Sequence, residues 1–128
     1  MRDAACLALA ATLMAAVSVS AAAADAGGFE CKPDGLQQEM NACAVRDYRA
    51  ADAKLNIRYA AVMQSLSVER RSALRVEQRE WLRRRDPDCK AEAAPSEGGS
   101  IWPLEFYGCL EKSTVERIRK IDRWEARK

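Results

Sequence analysis

An all-α fold is expected here: a long helical hairpin followed by a third helix, stapled by two disulfides. Three observations carry this expectation. Neither proline nor glycine occurs from Leu36 to Asp86; both then cluster at Pro87, Pro95, Gly98, Gly99 and Pro103, after which only Gly108 interrupts the chain to Lys128. Ala44, Tyr48, Ala51, Leu55, Tyr59, Val62 and Leu66 step by 4, 3, 4, 4, 3 and 4 residues, a mean close to the helical repeat of ~3.6. Once the N-terminal segment is set aside, Cys31, Cys43, Cys89 and Cys109 remain of five cysteines. No segment alternates with strand period.

The N-terminus reads as a targeting signal. From Cys6 to Ala24 every residue is small or apolar, and the run ends in Ala22-Ala23-Ala24, a small-residue cleavage pattern. Residues 1–24 are therefore expected to be a signal peptide, and 25–128 a single helical domain. Ala24-Asp25-Ala26 offers a second cleavage site. A lipoprotein is not expected: Cys6 comes too early, and Cys31 follows Gly28-Phe29-Glu30 rather than a lipobox. The expected location is periplasmic or secreted.

An unbroken helix from Leu36 to Asp86 would be a rod of about 76 Å, far longer than a domain with a radius of gyration near ~13 Å allows. The chain must fold back, and Ser65-Leu66-Ser67 is the expected hinge. Ser67 suits an N-cap, and Glu69 suits the first turn of the next helix. Leu74, Gln78, Trp81, Leu82 and Arg85 are then expected to line one face. Pro87 disfavours helix at Asp86 and is expected to end the element. A third helix follows from about Pro103 or Leu104, with Leu110, Thr114, Ile118, Ile121 and Trp124 inward. Folding back near residue 67 sets residues at equal distance from the turn against each other. Asn56 is thus expected beside Gln78, and Asp52 beside Arg85, as polar pairs that fix register.

In an oxidising compartment the four remaining cysteines form two disulfides. Cys31–Cys43 and Cys89–Cys109 close short loops and are favoured. Cys43–Cys89 with Cys31–Cys109 stays open, because the fold-back brings residue 89 level with about residue 45.

Charge is segregated under a net of +2. Val68 to Arg85 holds seven arginines against Glu69, Glu77 and Glu80, and Arg71, Arg75, Arg79 and Arg83 recur every four residues. Asp86, Asp88, Glu92, Glu97, Glu105 and Glu111 then stand against Lys90 alone. The stripe offers a contact to an anionic envelope surface. Nucleic acid is not expected as a partner: no aromatic interleaves the stripe, and an exported protein seldom meets it.

Catalysis finds little support. The chain has no histidine, which removes His-dependent triads and the commonest metal ligand. Neither a Cys-x-x-Cys nor a Ser-x-x-Lys pattern occurs. Glu77 and Glu80 share a helix face but sit among Arg79, Arg83 and Arg84, an ion-pair surface. No enzyme activity, cofactor or metal is expected.

A family becomes recognisable in the following order: Cys31; Met40-Asn41-x-Cys43-Ala44; Ala51-Asp52-x-x-Leu55-Asn56-x-x-Tyr59; Leu74-x-x-x-Gln78-x-x-Trp81-x-x-x-Arg85-Asp86-x-x-Cys89; Gly98-Gly99-Ser100; Cys109; Thr114; Arg117. This pattern resembles the LprI-like lysozyme inhibitor N-terminal domain family across nearly the whole of 25–128. The resemblance implies an exported, helical, disulfide-bonded bacterial envelope protein. It implies lysozyme as protein partner and an inhibitory binding module as function. The alternative is a structural or stress-related periplasmic protein without inhibitor activity. Relatives usually carry a capping Thr where this chain has Leu36; Leu cannot cap, so Asp34 is expected to take over. Animal-type lysozymes are strongly basic, so the acidic loop is the expected contact, through Lys90, Glu92, Glu97, Gly98, Gly99, Ser100 and Trp102. A cleft with an ionised carboxylate calls for a donor such as Ser100, Lys90 or a glycine N–H, and Trp102 suits a sugar subsite. The oligomeric state is not legible.

Overall fold

The stretch free of proline and glycine folds as two helices, α1 (Gln37–Ser65) and α2 (Val68–Ala93), and the chain beyond the loop as a third, α3 (Trp102–Ala126). This is the arrangement in a computed structural model that describes residues 28–127. The signal peptide read in 1–24, both cleavage sites, Cys6 and Lys128 lie outside the described residues. No strand occurs among the described residues.

The hinge falls where two serines flank an apolar residue. Leu66 leaves helical geometry (φ −97°, ψ 154°) and buries its side chain, 5% exposed, between the helices. Ser67 N-caps α2, its Oγ accepting from the Arg70 N–H at 3.4 Å. The other end of α1 is closed differently from expectation. Leu36 holds the N-cap position, and Glu39, rather than Asp34, supplies the polar group: its Oε2 accepts from the Leu36 N–H at 2.8 Å. Its Oε1 meets Lys32 Nζ at 2.7 Å. This is the reciprocal half of a capping box without the capping hydroxyl.

α2 does not stop at Pro87, as expected, but runs through it to Ala93. A proline inside a helix costs about 3 kcal/mol. Two facts offset that cost. Cys89 and Ala93, each 1% exposed, extend the buried face, and the Cys89–Cys109 disulfide ties the last turns to α3. Pro87 and Arg83 are both exposed, so the Arg83 carbonyl that the ring leaves unbonded is open to water.

Long-range pairs set the helix directions. Asn41 meets Ser100, Tyr48 meets Tyr107, and Arg58 meets Asp122. Both numbers rise together, so α3 runs parallel to α1. Arg70 meets Trp124, Gln78 meets Arg117, and Cys89 meets Cys109. Those numbers run oppositely, so α2 is antiparallel to α3. The α1–α3 seam is the most extensive in the bundle.

The interior changes character along the bundle axis. Near the hinge, Leu55, Val62, Leu66, Leu74, Ile118 and Ile121 form an apolar core, with Tyr59, Met63, Trp81 and Trp124 packed on it. At the far end the buried residues are mostly small: Ala42, Cys43, Ala44, Cys89 and Ala93, with Val45 and Leu110. Small residues bury little apolar area, and both disulfides sit at this end. Cys31–Cys43 and Cys89–Cys109 are the bridges formed; the crossed pairing is not. On the expected face of α2, Leu74, Gln78 and Arg85 are buried and Trp81 half-buried, but Leu82 is exposed at 44%. With Trp81 directed inward, its neighbour lies 100° further round the helix.

Candidate functional site

Four chain segments meet at the end of the bundle opposite the hinge: residues 28–36, the start of α1, the end of α2 and the loop into α3. The sequence makes the loop compact. Pro95 sits in a short 3₁₀ turn at Ala94–Ser96. The Glu97 N–H donates to the Ala94 carbonyl at 3.1 Å, and the Gly99 N–H to the Ser96 carbonyl at 2.9 Å. Gly98 lies at φ 82°, a conformation that glycine adopts without strain. Ser96 Oγ donates to the Ala93 carbonyl at 3.0 Å and also bonds the Glu105 carboxylate. The loop is then pinned to α1, because Asn41 Nδ2 donates to the Ser100 carbonyl at 2.8 Å. Gln37 Nε2 in turn donates to Asn41 Oδ1 at 2.9 Å.

The residues expected at the contact loop divide among three roles. Lys90 and Glu92 are exposed on the last turns of α2, and Glu97, Gly98, Gly99 and Ser100 are exposed on the loop. The Ser100 hydroxyl does not cap α3, whose N-cap position is Ile101. Trp102 opens α3, half-buried, and stacks on Phe106 with ring centroids 4.8 Å apart at 11°. Its indole therefore belongs to an aromatic shelf rather than to a free finger. Ile101 beside it is 42% exposed. Glu92 and Glu105 border a hollow of about 430 Å³ with Pro95, Leu104, Gly108 and Lys112. Glu39 lies at the same end, where its bonds to Lys32 and to the Leu36 N–H hold its carboxyl below the usual range. This end is an acidic, partly apolar pole.

Gln78, Arg85, Thr114 and Arg117 of the recognisable pattern lie elsewhere, buried inside the bundle. Arg85, 8% exposed at its side chain, donates to Asp52 at 2.9 Å, to Asp86 at 2.8 Å and to Thr114 Oγ1 at 3.5 Å. Its guanidinium lies 5.3 Å from the Tyr48 ring and 5.1 Å from the Trp81 ring. Burial raises the Tyr48 phenol above its ordinary value, with Arg85 opposing the shift. Arg117 is 3% exposed; its Nε donates to Gln78 Oε1 at 2.7 Å and its Nη1 to Glu77 at 2.5 Å. Asp52 thus meets Arg85 across the hairpin, whereas Asn56 and Gln78 do not meet. Asn56 is exposed, because it lies 100° round α1 from the buried Leu55. Gln78 is taken by Arg117 of α3, which occupies the space in front of it. These residues join all three helices into one polar layer, and Arg85 and Trp81 also line a hollow of about 320 Å³ between α2 and α3.

Asn41 as the loop's anchor and Arg117 as a buried cation escaped periodicity arguments, since neither residue type signals burial. Their one sequence signal was membership of the pattern itself. The arginine stripe runs along the outside of α2: Arg75, Arg79 and Arg83 are exposed and Arg71 half-buried. Val76 and Leu82 lie between them at 45% and 44% exposed. Among the described residues no group of three His, Cys, Asp or Glu side chains is placed to hold a metal ion. No helix of the described residues is long and apolar enough to cross a membrane.

Comparison with known proteins agrees with the pattern. The family profile described as "Lysozyme inhibitor LprI" matches residues 30–121. An uncharacterized protein of Rhizobium meliloti (strain 1021) is 31% identical over 105 residues, covering 72% of this chain and 76% of the relative. No solved structure matches. The matched span takes in both disulfides, the three-helix polar layer and the pinned loop, and this chain belongs to the LprI lysozyme-inhibitor family.

Proposed function

We propose that the protein is exported and acts as a lysozyme-binding, inhibitory module, docking through its acidic pole. The observation that carries the reading is the charge and shape of that pole. Glu92, Glu97 and Glu105 are exposed at the same end of the bundle as exposed Ile101 and the Trp102–Phe106 shelf, on a loop fixed by Asn41 and bracketed by the Cys89–Cys109 disulfide. A basic lysozyme would be steered to it by long-range attraction. A rigid aromatic anchor rimmed by polar groups is the arrangement that gives tight protein contacts. Ser100 and Lys90 supply exposed donors beside the carboxylates. The arginine stripe lies on the outside of α2, away from the loop tip. Two disulfides are in keeping with an oxidising compartment. The chain's family is one of inhibitors, so no catalytic role is assigned.

A second reading has its own observation. The family pattern is spent almost entirely on internal packing, through Asp52, Gln78, Trp81, Arg85, Thr114 and Arg117. Such a pattern preserves a scaffold whether or not its pole binds lysozyme, which suits a structural or stress-related envelope protein. A turbidity assay separates the two. Purified 25–128 added to lysozyme and cell-wall substrate should slow clearing in proportion to its concentration. Failure against lysozymes of every class would leave the scaffold reading.

A further inference from the structure

The side of the bundle facing away from α2 holds a groove that the lysozyme reading does not use. It runs between α1 and α3, with a volume of about 600 Å³, within the ~300–1,000 Å³ range of small-molecule sites. Its floor and walls are Ala51, Ile57, Ala61, Val115 and Ile118. Ile57 stands 73% exposed there, leaving its apolar side chain open to an occupant of the groove.

The polar groups of the groove are of two kinds. Arg58 meets Asp122 at 2.5 Å and also holds Glu125, one guanidinium against two carboxylates, so this end offers no free cation. Lys54 from α1 and Arg119 from α3 also line the groove. Neither has a carboxylate partner among the described residues. An apolar trough with one unneutralised cation on each wall calls for an occupant that is apolar along its length and anionic at its head. A basic protein would be repelled.

We propose that the α1–α3 groove binds a single-chain anionic amphiphile, the acyl chain lying along Ala51, Ile57, Val115 and Ile118 and the carboxylate or phosphate head between Lys54 and Arg119. Each head-group contact is a charge-assisted hydrogen bond, the stronger class. The site is separate from the acidic pole and does not rest on lysozyme binding.

The test is calorimetric titration of folded 25–128 with three probes below their micelle concentrations. These are palmitate, lysophosphatidylglycerol and the uncharged dodecyl maltoside. One-to-one binding of either anionic probe, or both, with dodecyl maltoside at least tenfold weaker is expected. Palmitate alone identifies a carboxylate site, and lysophosphatidylglycerol alone a phosphate site. Lys54→Glu and Arg119→Glu should each weaken the bound probe by about tenfold or more, as loss of a charged contact implies. Lys54→Arg should retain it. These positions are exposed, so helicity should not change, and circular dichroism checks this. Ile57→Asp should abolish binding. Equal affinity for the uncharged probe, or no binding of any probe, overturns the proposal. So does loss of binding in Arg75→Glu/Arg79→Glu with the groove variants unaffected, which would move the site to the α2 stripe. A dimer in sedimentation that Ile57→Asp dissociates would also overturn it, by making the groove a contact between copies.

Discussion

Removing the guanidinium of Arg85 while keeping its stem, as in Arg85→Met, tests whether the polar layer holds the three helices together. The side chain is 8% exposed and touches Asp52 and Asp86 carboxylates, the Thr114 hydroxyl and two aromatic rings. Hydrogen bonds to charged groups contribute about 1.5–3 kcal/mol. The carboxylate partners reduce this: Asp52 is 36% and Asp86 57% exposed at the side chain, so each regains water when Arg85 leaves. About 1 kcal/mol remains for the Asp52 contact and a few tenths for Asp86. Stacking between Tyr48 and Trp81 adds about 1–2 kcal/mol. The expected loss is about 3 kcal/mol, a large share of a stability of order 5–15 kcal/mol. Urea unfolding followed by circular dichroism measures it. In a double-mutant cycle with Asp52→Ala, the pair should show about 1 kcal/mol of coupling, the double variant losing that much less than the sum of the single losses. Coupling below about 0.3 kcal/mol, or Arg85→Met as stable as the parent, would refute the layer as a stabilising element. Well-packed apolar replacements of buried ion pairs do sometimes behave that way.

Three further outcomes are expected. Leu74→Ala, at a side chain with 0% exposure, should cost about 2–5 kcal/mol in the same unfolding measurement, more than Leu82→Ala at an exposed site of the same helix. Replacing Cys89 and Cys109 together by Ser should cost roughly 3 kcal/mol for a closure spanning 20 residues. It should also raise amide exchange in the loop and the last turns of α2 before it does so at the hinge. Glu39, held below its ordinary value of 4.5 by Lys32 and the Leu36 N–H, should make the start of α1 acid-sensitive. A carboxyl depressed in the folded state contributes stability that is fully present above pH 4.5 and lost as pH falls through the folded value. Protection factors of the amides at residues 37–40, taken against the intrinsic exchange rate at each pH, should fall below pH 4.5 in the parent, and Glu39→Gln should remove that dependence.

The helices and their hinge were readable from the chain because the signals were local. Proline and glycine were absent from Leu36 to Asp86, apolar spacing followed the helical repeat, and Ser67 stood where a cap was needed. The end of α2 was not, because a local rule at Pro87 lost to tertiary packing at Cys89 and Ala93 and to a covalent bond formed 20 residues away in sequence. Equal distance from the hinge placed Asp52 against Arg85 correctly. It failed for Asn56 and Gln78 because it treats two helices as if no third lay beside them; Arg117 of α3 claims Gln78. At the pole, the exposure of Glu92 and Glu97 followed from their charge and their place in a stretch rich in glycine and proline. The stacking of Trp102 on Phe106 and the tie from Asn41 to Ser100 depend on where α3 settles, which no residue spacing in the loop encodes.

The acidic pole is the part of the reading that bears most on function, and one rate constant tests it: the association of 25–128 with immobilised basic lysozyme. The parent should associate more slowly as salt rises from about 0.01 to 0.15 M, where the screening length falls from ~30 to ~8 Å. Glu92→Lys/Glu97→Lys should slow association by about tenfold or more at low salt and flatten the salt dependence, with dissociation little changed. Arg75→Glu/Arg79→Glu should associate at least as fast as the parent. Association that ignores both salt and the Glu92/Glu97 reversal, or that slows only when the arginines are reversed, would contradict docking through the acidic pole.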